Sequence, residues 1–169
     1  MLPGWLINEE GKLTLPVIKL FAALLNLPEN RLKNLVFRFD GSKKNKAETW
    51  GVKKIRINPD AYAKTDNSEW LGTVVHELTH EYDYFKSNLP DFLIRFLDQT
   101  GIKFREWVLR MPHENAYQNS PLEKKAFANQ KIVMDFVHKF SVQKILSDPS
   151  ISEREKISLI LNLIEKKKL

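Results

Sequence analysis

The chain has 169 residues, 43% of them hydrophobic, enough for one core and too few for two comfortable domains, so residues 1–169 read as a single domain. Cysteine is absent, which excludes disulfides and thiolate metal sites and leaves histidine, carboxylate and water to hold any metal. The net charge of +6 is spread along the chain, with small clusters at Lys43, Lys44 and Lys46 and at residues 166–168, and no recognition-helix, RRM or zinc-finger pattern accompanies it. It reads as a solvated surface and not as a nucleic-acid site. The N-terminus lacks a basic segment followed by an apolar run, and no apolar stretch reaches the roughly 20 residues of a membrane span. A cytoplasmic location with no membrane partner is the expectation.

In chain order, residues 1–14 read as irregular. Thr14 can cap a helix over residues 15–26, with Pro16 in its first turn and Val17, Leu20, Phe21, Leu24 and Leu25 at helical spacing. A short turn or helix over residues 30–34 leads to a strand at residues 36–40 and a turn at GSKKNK, residues 41–46. The run AETWGVKKIRINP reads as a second strand ending at Pro59, and its edge would suit pairing with an extended peptide. Residues 59–67 are loop, with Asp66, Asn67 or Ser68 placed to cap the next helix.

That helix spans residues 70–85, WLGTVVHELTHEYDYF, and carries His76, Glu77 and His80 as HExxH. At about 100° per residue the two histidines fall about 40° apart, one turn from each other, so both imidazoles can reach one ion. Glu77 lies about 100° round, beside such an ion rather than on it. Leu71, Val74, Val75, Leu78, Tyr82 and Phe85 occupy the opposite arc, which places the histidines off the core. Gly72 leaves its patch of the histidine face bare, and Asp83 is placed to orient His80 as a hydrogen-bond acceptor. The bland alternative is a helix surface that carries two histidines and a glutamate by chance.

Beyond Leu89-Pro90, DFLIRFLDQTG reads as a short amphipathic helix with Gly101 as its stop, followed by an apolar-aromatic piece over residues 102–111. Residues 111–121 form a polar loop with His113, Glu114 and Tyr117. A long helix is predicted over residues 121–146, with Leu122, Ala126, Val133, Phe136, Val137 and Phe140 inward. The last helix, residues 152–168, opens with a Ser152/Glu155 capping box.

A catalytic zinc takes a third protein ligand and keeps one position open. A third histidine six residues beyond His80 is excluded, because Lys86 stands there. Two later carboxylates remain, Glu114 in the polar loop and Glu123 at the start of the long helix. Glu123 has a competing role, as the partner of Ser120 in a capping box.

HELTH at residues 76–80 followed by YQNSPLEKKA at residues 117–126 resembles the small gluzincin-type zinc metallopeptidases, in which a Pro-x-Glu-x-x-Ala helix start follows HExxH. The resemblance covers residues 50–130 and leaves residues 1–34 and 150–169 as flanking helical segments. It implies a zincin-like α+β fold, predominantly helical, with a small sheet of two strands beside the HExxH helix and a long helix after it. It also implies Zn2+ on His76, His80 and Glu123, Glu77 as general base, and a protein or peptide substrate. Tyr117 and His113 are candidates for steadying the oxyanion. Larger members carry an aspartate four residues after the third ligand, where this chain has Phe127. Two other readings stand beside this one: a regulatory or binding module whose metal is structural or blocked by the chain's own flanks, and a nucleic-acid binder in which HExxH is incidental.

Overall fold

The spacing of Val17, Leu20 and Phe21 does what it predicts: these side chains are buried on one face of α1, Leu15–Leu25. A computed structural model describes residues 3–40, 47–49, 54–58, 60, 67–86 and 91–168. The arrangement is mostly helical with one small sheet, an α+β fold. After α1 come α2 (Glu29–Lys33), β1 (Val36–Phe39), β2 (Ala47–Thr49) and β3 (Lys54–Ile57). The helices α3 (Asn67–Lys86), α4 (Asp91–Val108), α5 (His113–Gln118), α6 (Pro121–Lys139), α7 (Val142–Ser147) and α8 (Glu153–Lys168) follow.

The sheet has three described strands, not the two expected. The run from residue 47 folds back on itself, so β2 and β3 pair antiparallel with Thr49 opposite Ile55, and β1 lies parallel on the other side of β3 with Phe37 opposite Ile55. The strand nearest the HExxH helix in sequence is therefore the middle one, and the edge beside α3 belongs to β2. The first residues are also more ordered than expected. Ile7 bridges Leu13 across a turn in which Gly11 has φ 73°, and Phe37 N–H donates to the Gly11 carbonyl at 2.8 Å. A Cβ at Gly11 would meet the Phe37 carbonyl oxygen at 2.7 Å, so only glycine fits. The Thr14 hydroxyl donates to the Trp5 carbonyl and leaves α1 without a side-chain cap.

Three further boundaries differ from the sequence reading. Gly101 does not stop α4, which continues to Val108 because Ile102 is buried and a glycine inside a helix costs only about 1 kcal/mol. The predicted loop at residues 111–121 contains α5. The predicted long helix ends at Lys139, where Ser141 adopts φ 50° and redirects the chain so that Val142 and Leu146 bury themselves from α7. The GSKKNK turn, Asp66, the side chains of Asn67, Ser68 and Phe85, and Leu89-Pro90 lie outside the described residues, and α3 already includes Asn67 and Ser68.

Trp70, Leu71, Val74, Val75 and Leu78 of α3 join Val133, Phe136 and Val137 of α6 in a core that extends from Leu6 to Ile164. α8 packs chiefly on α1 and also meets α7. The α3–α6 contact is the most extensive between two helices. Gly72 is not bare: a Cβ there would lie 3.0 Å from Gln130 Nε2 and 3.3 Å from Met134 Sδ, both on α6. Replacing Gly72 with Leu is expected to force these helices apart and lower stability in urea unfolding by about 1–3 kcal/mol, the usual result of overpacking.

Candidate metal centre

α3 and α6 cross so that the start of α6 lies over the histidine face of α3. The face that amphipathicity assigns to solvent is covered: the side chains of His76 and His80 are 12% and 9% exposed, and that of Glu123 is 7% exposed. Ala126, one turn beyond Glu123, is fully buried, and its small side chain permits the approach. Two polar links tie the pair further. Asn129 donates to Thr79 Oγ1 at 3.1 Å, and Lys125 forms an ion pair with Asp83.

The Ser120 hydroxyl accepts from Glu123 N–H at 3.2 Å, but the Ser120 N–H is taken by the Tyr117 carbonyl at 2.9 Å. The capping box is thus half made, and the Glu123 side chain is directed to the histidines. His76 Nε2 lies 3.0 Å from Glu123 Oε2, His80 Nε2 lies 3.4 Å from Oε1, and the two ring nitrogens are 3.1 Å apart. Four ligands held tetrahedrally at the usual zinc distances would be about 3.3 Å from one another. The separations therefore match one shared ion. Glu123 Oε2 is buried and accepts no well-directed hydrogen bond, which leaves a lone pair at the point where such an ion would sit. Among the described residues, His76, His80 and Glu123 are the group of histidine and carboxylate side chains able to hold a metal together.

The other sequence candidates are distributed around this triad. Glu77 is buried, with its Oε2 2.8 Å from the Thr49 hydroxyl of β2. Tyr117 donates a hydrogen bond to Glu123. His113 is exposed and paired with Glu106 of α4, and Glu114 is exposed on α5. Asp83 reaches His80 through its charge. Sequence reasoning missed Thr49, which carries no motif, and Asp98 of α4, which accepts from Ser120 and lies in the field of Glu123 and His80. Both depend on contacts between elements distant in sequence.

Electrostatics follow from the burial of charge. Burial pushes the Glu123 carboxyl up, but its interactions with His76, His80 and Tyr117 win and hold it at about 2. Burial opposes charge on His80, and the adjacent Glu123 carboxylate, helped by Glu77 and Asp83, still raises it above an ordinary imidazole. Burial, with the Glu123 carboxylate next to it, raises the Tyr117 phenol well above its ordinary value. Burial also raises Asp98.

Comparison with known protein families, with curated proteins and with solved structures finds no match.

Two outcomes are expected. In the metal-free protein, the lowered Glu123 contributes stability that is complete above its ordinary value of 4.5 and is lost as pH falls toward about 2. The raised His80 contributes stability that is complete below 6.5 and is lost as pH rises through its folded value. Melting temperatures measured against pH in a chelator should show both limbs, and Glu123→Gln should flatten them. In a competitive chelator titration, Glu123→Ala should weaken metal binding by orders of magnitude, while Glu114→Ala changes it little; the opposite ranking would transfer the third ligand to Glu114.

Proposed function

We propose that this chain is a zinc-dependent metallopeptidase with a zincin-like fold, of the small gluzincin type. The observation that carries the reading is the buried convergence of two imidazoles and a carboxylate with a second carboxylate, Glu77, next in sequence to one of the ligands. Two histidine nitrogens and one carboxylate, with a position left for water, form the usual donor set of a catalytic zinc. Held there, zinc would supply Lewis acidity and lower the pKa of a bound water toward about 7.

The protein's own groups take the remaining roles. Glu77 accepts the proton of the attacking water and passes it to the leaving amine. Thr49, hydrogen-bonded to one oxygen of Glu77, fixes the carboxylate and leaves the other oxygen for that exchange. Tyr117, whose one hydroxyl proton is donated to Glu123 in the metal-free protein, would turn it to the negative charge that develops on the substrate carbonyl once a metal takes that carboxylate. β2, paired with β3 on one side, supports an extended peptide along its outer edge. In the position where the larger gluzincins have an aspartate, the Phe127 ring packs edge-on to His76 with centroids 4.7 Å apart and holds it by shape instead of charge. No described helix is long and apolar enough to cross a membrane.

The burial of all three donors favours one second reading, a metal that only ties α3 to α6. Elemental analysis and Glu77→Gln separate the two. About one zinc per chain is expected in protein purified without added metal. Glu77→Gln should retain it while cleavage of unfolded proteins, read by mass spectrometry, falls about 10²–10⁴-fold. Stoichiometric zinc with no cleavage by the wild-type chain would support the structural role.

A further inference from the structure

α4 packs with its polar side inward. At about 100° per residue, Leu93, Phe96, Leu97, Phe104, Trp107 and Val108 share an arc about 120° wide, while Asp98, Ile102 and Arg105 lie opposite. A helix of a globular domain ordinarily buries the first set. Here Ile102 is buried and Asp98 and Arg105 are half-buried, whereas Phe96, Leu97, Phe104 and Val108 are each more than half exposed and Trp107 is 89% exposed. Specific partners fix this orientation. Asp98 accepts from Ser120, Arg105 lies in its field, and Glu106 pairs with His113.

We propose that this outward face docks on an anionic lipid surface. Charge selects the occupant. Lys103 on the helix and Arg110 just beyond its end are both exposed, whereas the acidic Asp98 and Glu106 are half-buried and engaged by Ser120 and His113. A second copy docking face to face would bring together two chains of net charge +6. Anionic headgroups are instead attracted to them. Phe104, Trp107 and Val108 line a shallow open depression together with Lys103 and with Glu106, whose carboxylate is paired with His113, so an acyl chain would enter beside the Lys103 cation. An amphipathic helix with a Phe/Trp/Leu face and basic flanks lies in the plane of the headgroups, its apolar side sunk about 5–10 Å. The contact is peripheral and rests on no spanning segment.

The test is co-sedimentation of the full chain with vesicles of phosphatidylcholine alone and of phosphatidylcholine mixed with phosphatidylglycerol. Binding is expected on the anionic vesicles, falling several-fold when salt is raised to about 0.5 M. Phe104→Ser with Trp107→Ser should lower partition by about tenfold or more. Lys103→Gln with Arg110→Gln should lower it several-fold on anionic vesicles only. Unchanged melting curves would show that these surface variants remain folded. Absence of vesicle binding, equal binding to neutral vesicles, or undiminished binding by the serine variant would overturn the proposal. So would a dimer in sedimentation velocity, or capture of a reduced, carboxymethylated polypeptide, that the serine variant abolishes in a protein that ignores vesicles.

Discussion

The crossing of α6 over α3 is the constraint on which the site depends. It is driven from the apolar side, where Val133, Phe136 and Val137 meet the core residues of α3, and it is permitted on the polar side by Gly72 and Ala126, which are small enough to bring the backbones together. The same approach removes two imidazoles and a carboxylate from water. Burying such groups is unfavourable unless each finds a partner, and the partners available are one another. The displaced pKa values of Glu123 and His80 record that mutual dependence.

Around the triad, most polar groups serve two elements at once. Ser120 caps α6 through its hydroxyl oxygen and donates from the same hydroxyl to Asp98 of α4. Thr49 joins the sheet to Glu77, and Lys125 joins α6 to Asp83. The charged side of α4 therefore faces the triad of His76, His80 and Glu123 while its apolar side faces outward. One helix carries both the proposed lipid surface and Asp98, the partner of Ser120 beside the proposed active site.

Helical periodicity alone determined that residues 70–85 form a helix, that Leu71, Val74, Val75 and Leu78 enter the core, and that His76 and His80 share a turn. The first strand, the caps of α6 and α8 and the break near residue 147 were legible on the same ground, because each reports interactions within a few residues of chain. The two Ser-x-x-Glu sequences mark the limit of that information. At Ser152 the box is complete: Glu155 N–H donates to the Ser152 hydroxyl at 3.3 Å, and Ser152 N–H donates back to the Glu155 carboxylate at 3.0 Å. At Ser120 the carboxylate turns away to the histidines.

Local pattern is identical in the two cases, and only what lies across from the helix start distinguishes them: solvent for Glu155, a pair of imidazoles for Glu123. The same reason explains the other departures. The antiparallel pairing of β2 with β3, the continuation of α4 through Gly101, the turn at Ser141 and the covering of Gly72 were each decided by a neighbour brought close by the fold, such as Ile55 opposite Thr49 or Met134 against Gly72. The sequence by itself specified which side chains could serve a metal centre. The packing of α6 on α3 decided which of them meet, because the separation of Glu123 from His76 is set by helix contact and not by chain spacing.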